Sequence, residues 1–123
     1  MSDYADRIET LADRAARDRA AFQRPADPPD EDRAMEYLRE GVGPAVAVYV
    51  DARTGDWHRF EASAFESLES TMNTYLELYA ACYGTDIDAS FAVTEAAELL
   101  VDTHNIRDVA AMLTHVPDRH DGQ

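Results

Sequence analysis

A chain of 123 residues with 25 acidic side chains against 11 basic ones, every one of the latter arginine, carries a formal net charge of −14. That balance argues against an ordinary basic nucleic-acid binder, and the length suits a single domain, which buries roughly two-thirds of its unfolded surface. Cys82 is the only cysteine, which excludes an intrachain disulfide and leaves no sign of an oxidising compartment. The opening "MSDYADRIET" has acids where a secretion signal needs basic residues and then an apolar run. The longest uncharged run, Gly41 to Val50, is ten residues, about half a membrane span. The expected location is therefore the cytoplasm, with no membrane contact.

Residues 3–22 place Tyr4, Ile8, Leu11, Ala15 and Phe22 on one helical stripe that Asp18 interrupts. The segment "QRPADPPDED" has three prolines within five residues and reads as a linker. A short helix over 31–40 should bring Met35 and Leu38 inward, and "GVGP" should end it. Two β-rich runs follow, "AVAVYVD" (45–51) and "DWHRF" (56–60), separated by "ARTG"; Gly55 suits the tight turn of a hairpin. The run "DASFAV" could supply a third strand. Ser63 with Glu66 resembles a capping box, and Phe65, Leu68, Met72, Tyr75, Leu76, Tyr79 and Tyr83 form a helical stripe that Gly84 closes. Thr94 is the expected cap of a helix carrying Ala96, Leu99 and Leu100. Asn105 closes that helix or caps the next, whose stripe is Ile106, Val109, Ala110 and Leu113. The expectation is an α+β fold: a β-hairpin or three-stranded sheet packed against one long and two shorter helices. Residues 1–22 form an N-terminal amphipathic helix, 23–30 a Pro-rich linker, 31–116 the core domain and 117–123 a flexible tail.

The run "VTEAAELL" resembles the opening of the helix-turn-helix in excisionase-type and MerR-type regulators, and the resemblance extends over Phe91 to Leu113. It implies that the second helix touches DNA, with Asn105, Arg107, Thr114 and His115 as the contacts. The family turns through a glycine just after the paired leucines, whereas Val101 and Asp102 continue the helix here. Residues 42–123 hold only four arginines, Arg53, Arg59, Arg107 and Arg119. An ordinary antiparallel helix pair fits these residues better than a groove reader.

Other chemistry has little behind it. His104, His115 and His120 lie near Asp102 but no pair sits at ligand spacing on one helix, and surface histidines at helix ends explain them. Asp86 and Asp88 form a lone DxD among 15 aspartates, which reads as a solvated loop. Asp102, His104 and a serine lack the strained nucleophile turn a triad needs, and Cys82 lacks an activating neighbour. No cofactor, metal or catalytic residue is expected. Trp57, Tyr75, Tyr79 and Tyr83 have two readings: core covering the hairpin, which is favoured, or a partner surface, since tyrosine buries area while keeping a polar tip.

Excess acid, missing lysine, abundant alanine and a modest aliphatic core resemble the cytoplasmic proteins of salt-loving archaea. The stretches "YLELYAACYG" and "VDTHNIRDVAAMLTHVP" resemble an uncharacterised family from those organisms, which implies no activity. The expected role is a non-enzymatic interaction or self-association module, with another protein or a second copy as partner. A small DNA-associated regulator using residues 94–115 is the alternative. At 1 M ionic strength the Debye length is about 3 Å, so repulsion among surface carboxylates is largely screened. A circular-dichroism melt should therefore be cooperative in molar KCl and broaden in dilute buffer; equal stability in both would contradict salt adaptation.

Overall fold

The computed structural model describes residues 3–54 and 60–117. Six α-helices run through these residues: α1 (Asp3–Ala21), α2 (Glu31–Tyr37), α3 (Gly43–Thr54), α4 (Ala62–Cys82), α5 (Val93–Thr103) and α6 (Ile106–Thr114). A π-helical segment, Leu38–Val42, joins α2 to α3. No strand occurs among the described residues, so the expected α+β class is replaced by an all-helical fold.

The first expected strand, Ala45–Asp51, lies inside α3. Its apolar residues fall on both faces of a strand, and such a run carries no periodicity that separates a buried strand from a buried helix. Pro44 stands in the first turn of α3, directly after the π-helical segment Leu38–Val42, and its missing N–H leaves a gap in the helical hydrogen-bond ladder at that junction. Ala45, Val46, Val48 and Ala52 are then buried, with Ala47, Tyr49 and Val50 half-buried. The helix propensity cost of valine, under about 1 kcal/mol per residue, is smaller than the roughly 1.5–3 kcal/mol gained by burying each such side chain. Of the second expected strand only Phe60 is described, outside regular structure; Trp57 lies outside the described residues.

The segment "GVGP" does not end the preceding helix either. Leu38 and Gly43 both keep right-handed helical backbone, and the Gly43 N–H bonds the Leu38 carbonyl five residues back. Chain 31–54 is therefore one helical rod with a π-turn in its middle. Tyr75 stands opposite the turn. A methyl group on Gly41 would lie 2.3 Å from Cγ of Tyr75 and 2.5 Å from both Cδ atoms. Only glycine lets the rod approach the Tyr75 ring face so closely.

Helix α4 is the post around which the rest is assembled. Leu68, Met72, Tyr75, Leu76 and Tyr79 of its expected stripe are fully buried, and Leu78, Ala80 and Cys82 extend burial around most of its circumference. It begins at Ala62 with no side-chain cap bond, so Ser63 is not the capping residue. Its end matches expectation: Gly84 takes φ 82° and its N–H bonds the Ala81 carbonyl, while Thr85 N–H bonds that of Ala80.

Helix α1 lies against this post through Ile8, Leu11 and Ala15, which belong to the same buried cluster. Asp18, the interruption in its stripe, accepts a 2.6 Å hydrogen bond from the Tyr75 hydroxyl. Arginines then pin the helix and the following segment at the surface. Arg7 meets Asp51 at 3.4 Å and Arg14 meets Glu40 at 3.1 Å; Arg19 pairs with Glu77 and Arg24 with Asp86. Exposed pairs of this kind contribute at most about 1 kcal/mol each, so the apolar face and Tyr75–Asp18 carry more of the docking.

The chain between α4 and α5 is held by a regular ladder. Glu77 Oε2 accepts the Ala89 N–H, Asn73 accepts the Phe91 N–H and donates to its carbonyl, and Glu69 Oε2 accepts the Val93 N–H, each at 3.0 Å. Four helical residues advance about 6 Å and two extended residues nearly 7 Å, so side chains at i, i+4 and i+8 of α4 meet every second residue of an extended segment. "DASFAV" is thus extended as its composition suggests, but its partner is a helix face and not a strand. Glu69 accepts from the first amide of α5, and Thr94, the expected cap, is exposed inside the helix. Asn105 caps α6 by accepting from the amides of Arg107 and Asp108.

Gly41→Ala should lower unfolding free energy by about 3 kcal/mol, the upper part of the overpacking range, because a ring and not a flexible chain end blocks the methyl. Chemical denaturation in high salt measures it; a loss under about 1 kcal/mol would show that the π-turn yields.

Candidate interaction surface

Two helix faces of opposite wall charge meet in a groove of about 450 Å³. One wall is the last turn of α3, with Tyr49, Val50 and Arg53; the other is the i, i+3, i+4, i+7, i+8 face of α5, with Ala97, Glu98, Val101 and Asp102 among its residues. Val101 is 62% exposed, the most exposed large aliphatic side chain among the described residues, with Met112 next at 50%. The Arg53 guanidinium lies 6.0 Å from the Tyr49 ring centroid and makes no ion pair among the described residues; neither do Glu98 and Asp102. A second groove of about 380 Å³ runs beside the α4 ladder, floored by Ser70, Asn73 and Thr74, with Arg19 and Glu77 among its lining residues.

The expected site residues are distributed differently. Tyr75 and Tyr79 are completely buried and Tyr83 is half-buried. They therefore form core rather than a partner surface: the stripe they share is the one that meets the rod and the C-terminal segment. The Tyr79 hydroxyl donates to the Val116 carbonyl at 2.6 Å and so pins the chain after α6, while the Tyr79 and Tyr83 rings pack edge to face at 5.3 Å. Burial pushes the Tyr75 hydroxyl far above the usual phenol range, and its hydrogen bond to Asp18 adds to the shift. Burial likewise pushes the Cys82 thiol up to about 11, away from nucleophile chemistry.

Of the expected DNA contacts, Arg107 and His115 are exposed on α6 and just after it. Asn105 spends its carboxamide on the cap, and Thr114 is buried with its hydroxyl on the Ala110 carbonyl. The turn between α5 and α6 is two residues long, with His104 at φ 55°. His104 and His115 each end a helix in the left-handed region, and His120 lies outside the described residues. No three potential metal ligands converge among the described residues. Asp86 is occupied by Arg24, and Asp88 is exposed. No described helix is long and apolar enough to cross a membrane.

A family model described as a domain of unknown function, DUF8055, matches residues 2–118. The chain belongs to the DUF8055 family. The match takes in α1 through α6 together, so in DUF8055 the N-terminal helix and the helices it covers fall within one matched region. No curated protein and no solved structure matches the chain.

Sequence reasoning missed the α3–α5 groove because α3 was read as a strand. The signal that pointed to it was Val101, an apolar residue one step off the inward stripe of Ala96, Leu99 and Leu100.

Because the Tyr75 pKa is raised in the folded state, its contribution is complete below the free phenol value of about 10 and is lost as pH rises above it. Melting temperature in high salt should fall as pH rises above about 10, and Tyr75→Phe should flatten that fall. Parallel alkaline curves for the two proteins would contradict the assignment.

Proposed function

We propose that this DUF8055 chain is a non-enzymatic cytoplasmic interaction module of a salt-loving archaeon, acting through the groove between α3 and α5. The observation that carries the proposal is Val101: 62% exposed, between walls whose charged groups have no ion-pair partner among the described residues. An apolar side chain rimmed by polar residues is a common form of protein contact site. The halophilic setting is supported by a net charge of −14 without a single lysine.

The alternative, a small DNA-associated regulator, is supported by exposed Arg107 at the start of α6, whereas the two-residue turn joining α5 and α6 is shorter than the roughly three or four residues usual in that motif. With Asn105 committed to a cap and Thr114 buried, that reading rests on Arg107 and His115 alone. Sequence-specific readers bring several side chains to base edges and phosphates.

Affinity purification of the tagged protein from its host at native salt, with protein and nucleic acid read from one eluate, separates the two. A specific protein, or untagged copies of the chain, should be recovered without discrete DNA. Enrichment of defined DNA sites that Arg107→Ala abolishes would overturn the proposal.

A further inference from the structure

We infer that the α3–α5 groove takes a second copy of this chain, in a two-fold arrangement that sets Arg53 of each copy against Glu98 and Asp102 of the other. The inference rests on the interaction reading above and names its partner. A two-fold interface is self-complementary, each patch meeting its own copy, so it needs both members of every contact on one surface. The groove supplies them. Arg53 stands on the α3 wall; Glu98 and Asp102 stand one turn apart on the α5 wall; all three are exposed and none has an ion pair among the described residues. Val101, between Glu98 and Asp102 in sequence, is the apolar group each copy would place against Tyr49, Val50 and Ala97 of the other.

The distribution of arginines sharpens the choice of occupant. Arg7, Arg14, Arg19 and Arg24 are spent on acids elsewhere in the chain, while Arg53, like Arg17 and Arg107, makes no ion pair among the described residues, and of these three Arg53 alone is among the lining residues of the groove. A uniformly basic partner would meet Arg53 and a uniformly acidic one would meet the α5 carboxylates, whereas a copy of the same surface satisfies both walls. Two chains of net charge −14 repel at long range in dilute buffer. Salt screens that repulsion over distances beyond a few ångströms. Association should therefore tighten as salt rises, opposite in sign to the counterion-release behaviour of nucleic-acid binding.

Sedimentation velocity of the full chain, titrated over concentration in dilute and in molar KCl, reads this directly. A dimer that strengthens with KCl is expected. Val101→Glu should weaken it at least tenfold, and Arg53→Glu or Asp102→Arg alone should do the same. The Arg53→Glu, Asp102→Arg double variant should recover most of the loss, a result that misfolding cannot imitate. Helical content and melting of each variant are followed by circular dichroism in parallel. A monomer at all salts, or a dimer indifferent to these variants, overturns the inference. In that case recovery of a different protein in the purification above, lost with Val101→Glu, leaves the interaction reading standing, and recovery of none removes both.

Discussion

The contact between the Tyr75 ring and the backbone of Gly41 is the constraint on which the other helices depend. It joins a glycine in the π-turn of the rod to a tyrosine at the middle of α4, and only glycine leaves room for the ring. Once the ring is in place, its hydroxyl meets Asp18 and positions α1, while the Tyr37 ring packs on it at 5.9 Å from the α2 side. Three separated parts of the chain are therefore registered by one side chain. A carboxylate in the apolar stripe of α1 is tolerated because Asp18 is only half-buried and accepts that hydrogen bond.

Much of this was legible one element at a time. The α4 stripe, the Gly84 cap and the α1 stripe follow from 3.6-residue spacing and cap chemistry, which are local. The strand assignment failed where local signals run out. "AVAVYVD" is apolar at nearly every position, and a helix buried on most sides looks the same as a buried strand until its neighbours are known. The glycines of "GVGP" look like a stop signal because close packing against a ring 34 positions later in the chain leaves no mark nearby. Asp18 was visible as an anomaly in a stripe, but its partner was not.

The surface shows a similar division. The charge of the chain is readable from composition, yet its use depends on tertiary placement. Arg7, Arg14 and Arg19 of α1 and Arg24 of the segment after it are consumed in holding them to acidic residues of α3, the π-turn, α4 and the loop beyond. Most of the remaining acids stand exposed as a hydrated coat, and the α3–α5 groove is a place where an apolar side chain and both signs of charge coincide. Reading residues 45–51 as a strand removed one wall of that groove. The tyrosines, read chiefly as core and only secondarily as a partner surface, are reserved for folding by their depth in α4.

Native-state hydrogen exchange in molar KCl tests the central constraint most directly, because it reports how much of the structure opens together. If the Gly41–Tyr75 contact registers the rod, α4 and α1, amides of the π-turn and of α4 around Tyr75 should share the slowest exchange, at the free energy of global unfolding. A π-turn that exchanges as fast as the helix ends, while the middle of α4 stays protected, would contradict the account.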